Sequence, residues 1–169
     1  MGDDTSRILV AGIGNIFLGD DGFGPEVIRH LVDRLTALEP DVHAVDYGIR
    51  GMHLAYDLLE EWDALVLVDA LPDRGSPGSV HIFQADHETL SATAGLEAHS
   101  MDPSAVFASL RALGGVAPHT VVVGCEAGNV DEGMGLSDAV AKAIPEAVRA
   151  VEGVLAMLLS RSGATVREG

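Results

Sequence analysis

The stretch ILVAGIGNIFLGDDGFG, residues 8 to 24, decides the reading of the chain. Residues 7 to 13 read as a first strand, which runs into a loop ending on two adjacent carboxylates, Asp20 and Asp21. From Gly22 to Leu38 apolar residues then recur at Val27, Ile28, Leu31, Val32, Leu35 and Leu38, the spacing of a helix. A strand that turns directly into a helix is the opening of an alternating α/β chain.

The same alternation continues outward from this unit. Residues 42 to 47 read as a second strand, and GIRGM, made permissive by Gly48 and Gly51, turns the chain into a helix over about residues 52 to 60. Ala64 to Val68 is continuously apolar and closes on Asp69, as expected of a central parallel strand covered on both faces. After the turn LPDRGSPG comes a strand over about 79 to 84, either antiparallel to its predecessor or elsewhere in the sheet. Residues 85 to 100 are polar and irregular, and Asp102 and Pro103 suit the N-cap and first turn of a helix ending near Leu113.

Thr120 to Val123 reads as the last strand, followed by the loop GCEAGNVDEGMG and a long helix from about Ser137. That helix carries Val140, Ile144, Val148, Val151, Leu155 and Leu158 on one face; Pro145 should kink it unless the helix starts later, and the tail from Ser160 to Gly169 should fray. The expected architecture is α/β, a doubly wound, mostly parallel twisted sheet of about five strands with helices on both faces. It forms one domain over residues 1–169, with its core at about 7–160.

Composition narrows the function. With 169 residues and 47% hydrophobic but only 4% aromatic residues, the core should be aliphatic, with small residues bringing helices close to the sheet. A formal charge of −16 opposes the cationic surface that nucleic acid requires. The single cysteine, Cys125, excludes an internal disulfide framework and reads as a small apolar residue at a strand end. No apolar run approaches the roughly 20 residues of a membrane span. The expectation is a soluble cytoplasmic protein without nucleic-acid or membrane partners.

Ligands in open α/β sheets gather at the carboxyl ends of the strands, above all where the strand order reverses. Asp21 follows the first strand, Asp69 ends the third, and His99 lies on a later crossover. Together they offer two oxygen ligands and one imidazole, a set suited to a divalent transition metal with positions open for substrate. Taken singly, the Asp pair could equally cap a helix, and Asp69 could equally turn a loop. His30, His43, His53, His81, His87 and His119 lack comparable placement, with His30 and His53 expected on helix surfaces.

Two other sites are compatible with the same opening. A dinucleotide loop would need glycine at Phe17 and would set pyrophosphate against the Asp pair. A receiver-like phosphoacceptor domain, with magnesium at the Asp pair and phosphate on Asp69, needs an acidic pair directly at the strand end. Here Asn15 to Asp20 intervene before Asp21, and TVVVGCEAGN lacks the required lysine.

Five segments, GIGNIFLGDDGFG, DYGIRGMHL, LVLVDA, EAHS and VVVGCEAGNVDEGMGLS, resemble in order and spacing the hydrogenase maturation proteases. The resemblance spans about residues 7 to 160. It implies an endopeptidase that removes the C-terminal extension from the large-subunit precursor of a NiFe hydrogenase after nickel insertion. On this resemblance Asp21, Asp69 and His99 are the metal-binding and catalytic positions, with Asp20 the preceding acidic neighbour. The nickel is carried by the substrate, and Asp46, Gly48 and Gly51 lie in a segment near the substrate cleft. Arg50 stands where some relatives have a small residue. A noncatalytic chaperone of a nickel protein would use the same residues without cutting.

Overall fold

The strand expected at the start of the chain is β1, Ile8–Ile13, and it lies inside a five-stranded sheet. The computed structural model describes residues 7–38, 41–86 and 103–168, with the side chains of 36–38 and 161–168 left aside. A 3-10 turn at Gly19–Gly22 precedes α1, Phe23–Leu38. Then follow β2 Val42–Gly48, α2 Gly51–Asp57, β3 Ala64–Leu71 and β4 Val80–Ala85. The chain continues with α3 Pro103–Ala112, β5 His119–Glu126 and α4 Asp138–Glu168.

The sheet order is β2-β1-β3-β5-β4. β1 pairs parallel with both β2 and β3, and β3 pairs parallel with β5. β4 is the antiparallel edge, Val80 opposite Cys125 and Ala85 opposite Thr120. This resolves the two options for β4: it runs against β3 in direction but is separated from it by β5. The expected mostly parallel α/β sheet is therefore present.

Strand alternation sorts the core into two layers. Ile8, Val10, Val66, Val68, Val121 and Val123 pack against Phe23, Val27, Ile28 and Leu31 of α1 and Val140, Ala147 and Val151 of α4. On the other face Leu9, Ala11, Leu65, Leu67 and Val122 pack against Leu54 and Ala55 of α2 and Val106, Phe107 and Leu110 of α3. Helices thus cover both faces, as expected of a parallel sheet. Close packing of α1 depends on Gly24, where an added Cβ would lie 2.4 Å from the carbonyl oxygens of both Ile13 and Val68.

Several boundaries differ from expectation. β3 runs to Leu71, so Asp69 lies two residues inside the strand rather than ending it, and β5 runs to Glu126, three residues past Val123. Val32, counted among the packed positions of α1, is 40% exposed. The final helix contains Pro145 and continues to Glu168, so the tail expected to fray is helical. Between Ser160 and Glu168 the sequence has one glycine, Gly163, and no proline, and once a helix is nucleated each further residue adds a hydrogen bond at little cost. Ala85, expected to open the irregular segment, ends β4; residues 87–100 of that segment, with His99, and Asp102 lie outside the described residues. No described helix is long and apolar enough to cross a membrane.

Candidate functional site at the β1–β3 strand ends

The chain leaves β1 for β2 through α1 on one face of the sheet, then crosses from β2 to β3 through α2 on the other. β1 and β3 are neighbours whose outgoing connections diverge, which opens a crevice at their carboxyl ends. Asp21 and Asp69 stand at this place, and the 3-10 turn lies against β3.

The loop from Gly14 to Gly22 is built tightly. Gly14 has φ +139°, and a Cβ there would lie 1.9 Å from the carbonyl oxygen of Asp21, so the chain folds directly back on itself. The Asn15 N–H donates to Asp21 Oδ2 at 2.7 Å, and the Asp21 N–H donates to the Leu18 carbonyl at 3.0 Å. The carboxylate of Asp21, 4% exposed, is thereby aimed by the backbone that precedes it.

Asp20 is fully buried and has a different task. Its Oδ2 accepts from the Gly128 N–H at 2.7 Å, the Asn129 N–H at 2.9 Å and the Ser137 hydroxyl at 2.8 Å. Its Oδ1 accepts from the Ser137 N–H at 2.7 Å. Four donors from the β5–α4 connection occupy both oxygens, so Asp20 fastens two loops and has little capacity left for a metal. These donors do not belong to α1, which rules out the helix-capping reading for Asp20.

Asp69 is 8% exposed. By alternation with Leu65 and Leu67 it faces the α2/α3 side, and it pairs in register with Gly124. Two nearly buried carboxylates at adjacent strand ends can hold a divalent cation or take up a proton. Among the described residues no group of three or more His, Cys, Asp or Glu is disposed to hold a metal ion, and the third candidate, His99, lies outside them.

Asp46 occupies the opposite side of the sheet. Gly12 pairs with Asp46 and Ile13 with Gly48, so Tyr47 is an extra residue that bulges the end of β2. Asp46 Oδ1 accepts from the Gly48 N–H at 2.9 Å, and Gly48 takes φ +56° to complete the turn. The Gly14 N–H donates to the Gly48 carbonyl at 3.0 Å, tying this turn to the loop that carries Asp21. Asp46 also lines a groove of about 650 Å³ with Ile16, Pro25, Ile28, Met134 and Leu136. Gly51, the third expected substrate-cleft residue, begins α2.

Glu126 is a group that the sequence reading passed over. It ends β5 on the same face as Asp69, 6% exposed. Its Oε1 accepts from the Arg74 N–H at 2.9 Å and the Ser76 N–H at 3.1 Å, and its Oε2 lies 2.9 Å from His81 Nε2. The Arg74 N–H, followed by His81, holds this carboxyl below the usual glutamate range against the smaller opposing effect of desolvation. The signal that marked Asp69, a carboxylate closing an apolar run, is present again in VVVGCE. Cys125 beside it is fully buried, and burial, then the charges of Asp20, Glu146 and Glu126, push its thiol up to about 12. His30 and His53 lie on exposed helix surfaces beside Glu26 and Asp57, as expected.

Comparison with known proteins agrees with this fold. A family model described as hydrogenase maturation protease matches residues 25–154. The coenzyme F420 hydrogenase subunit delta of Methanothermobacter thermautotrophicus is 35% identical over 154 residues, 86% of this chain and 92% of that protein. The hydrogenase 2 maturation protease of Escherichia coli is 30% identical over 147 residues, covering 86% and 88% of the two chains. The solved structure of the hydrogenase maturating endopeptidase HybD from E. coli superposes with a TM-score of 0.74. It shares 28% identity over 89% of this chain and 93% of its own.

Proposed function

The chain belongs to the hydrogenase maturation protease family, and from that membership we propose that it removes the C-terminal extension of a nickel-loaded NiFe-hydrogenase large-subunit precursor. The supporting observation is the pair of nearly buried carboxylates, Asp21 and Asp69, at the ends of adjacent strands where the connections diverge.

Nickel is part of the substrate in this reading. Asp21 and Asp69 offer oxygen donors and His99 an imidazole, a mixed set that suits nickel while leaving positions for the precursor's own ligands. Engaging the metal fixes the adjoining peptide against the two carboxylates. A carboxylate in its deprotonated form then accepts a proton from the water attacking the scissile carbonyl and returns it to the departing nitrogen as the C–N bond breaks, so the precursor keeps a new carboxyl terminus and the extension leaves with a new amino terminus. Asp46, Gly48 and Gly51 shape the turn beside the groove and take part in choosing the precursor.

Asp21→Asn, Asp69→Asn and His99→Ala variants test the site. Each is expected to lower processing of the nickel-loaded precursor by at least about 100-fold, the scale of a lost acid–base group, while thermal unfolding remains cooperative. Wild-type processing by all three would overturn the assignment.

A further inference from the structure

The turn after β2 ends in a cation held by the main chain. Arg50 Nη2 donates to the Asp46 carbonyl at 2.6 Å, Arg50 Nε donates to the Tyr47 carbonyl at 3.1 Å, and the Arg50 backbone N–H donates to the same Tyr47 carbonyl at 2.8 Å. Its partners are neutral carbonyls. Among the described residues it forms no salt bridge, so its charge is not neutralised in a chain whose net charge is −16.

The fork is therefore immobilised on one side and retains three donors on the other, two on Nη1 and the second on Nη2. An arginine ordered in advance loses less side-chain entropy on binding, and its planar donors match a carboxylate. Ile49 in the same turn is 65% exposed, and Met52 and Tyr56, four residues apart on α2, are 47% and 54% exposed. Arginine, tyrosine and methionine are the residue types enriched at the centres of protein interfaces. The turn that carries Arg50 is fastened to Gly14, at the base of the Asp21 loop.

We infer that Arg50 is a specificity-determining residue that binds a carboxylate of the precursor, with Ile49, Met52 and Tyr56 receiving the apolar side chains next to it. The inference rests on the recognition of that precursor proposed above. The carboxylate is either an acidic side chain near the scissile bond or the C-terminal carboxylate of the extension.

The test measures binding of the nickel-loaded precursor by anisotropy, and peptide release by mass spectrometry, for wild type, Arg50→Gln and Arg50→Lys. Arg50→Gln should weaken binding and raise KM about tenfold, with kcat changed less than about threefold, the effect being screened by salt. Arg50→Lys should fall between because it retains charge but loses the fork. Precursors with acidic side chains near the scissile bond changed to amides, and a precursor with a C-terminal carboxamide, separate the two sources. The responsible change should reproduce the tenfold loss with wild type and add nothing with Arg50→Gln, a coupling that a merely structural role for Arg50 would not produce.

Equal KM for wild type and Arg50→Gln, or additive losses with every modified precursor, would overturn the inference while leaving the protease reading intact. Arg50-dependent binding without peptide release would uphold the inference and sink the protease reading. Neither binding nor release by wild type would overturn both.

Discussion

Replacing Asp20 by asparagine should destabilise the fold more than any single change at the exposed groove, because Asp20 serves four donors with two oxygens. Asparagine keeps one oxygen. Its better orientation leaves that oxygen with Gly128, Asn129 and the Ser137 hydroxyl, and turns an NH2 toward the Ser137 N–H, donor against donor. The lost bond was to a charged acceptor, worth about 1.5–3 kcal/mol, and the remaining three fall to neutral-acceptor strength. Relief from burying a charge offsets part of this, leaving a net loss of about 3 kcal/mol. At about 2–4 °C per kcal/mol for a chain of this size, Tm should fall by about 6–12 °C.

Urea unfolding followed by the fluorescence of Trp62 measures this directly, with the denaturant slope unchanged if only the folded network is affected. Ser137→Ala removes the hydroxyl bond to the charged acceptor alone and should cost about 1.5–3 kcal/mol. Asp20→Asn within about 1 kcal/mol of wild type would refute the argument that this carboxylate holds the two loops together.

Other changes test separate parts of the structure. Gly24→Ala drives a methyl group into two backbone carbonyls and should cost about 1–3 kcal/mol by overpacking, measured by the same unfolding assay. The Cys125 thiol, protonated at neutral pH and buried, should resist a thiol-specific reagent at pH 7 until the protein is unfolded. Glu126 has its folded pKa below the ordinary value of 4.5, so its stabilising contribution is present above that value and is lost as pH falls through the folded pKa. Wild type should consequently exceed Glu126→Gln in stability near neutrality, and the difference should shrink under acid conditions; a difference independent of pH would contradict this.

The parts of the molecule legible in the sequence are those governed by local pattern. Alternation of apolar strands and amphipathic helices located every described strand and α-helix but not the 3-10 turn Gly19–Gly22, and the close of LVLVDA on a carboxylate singled out Asp69. Asp20 could not be read this way. Its donors lie 108 to 117 residues further along the chain, and only the approach of two loops gives it a role other than neighbour to Asp21. Glu126 was obscured because Gly124 and Cys125 ended the apolar run early, although the β3–β5 ladder continues through them. The exposure of Val32 follows from the same limit, since periodicity identifies a helix face but not where the neighbouring loop leaves a groove.

Receiver-like phosphoacceptor chemistry no longer accounts for the acidic residues, because the family match covers the chain from α1 into α4 and one of the two carboxylates that this chemistry would use for magnesium, Asp20, is already saturated by protein donors. The distinction between a protease and a chaperone of the same nickel protein is a matter of bond cleavage.

Mass spectrometry of the large-subunit precursor, incubated with this protein before and after nickel insertion, tests the central claim most directly. The account predicts a single released C-terminal peptide from the nickel-loaded precursor and none from the nickel-free one. An intact precursor in the loaded sample, or equal cleavage of both, would contradict it.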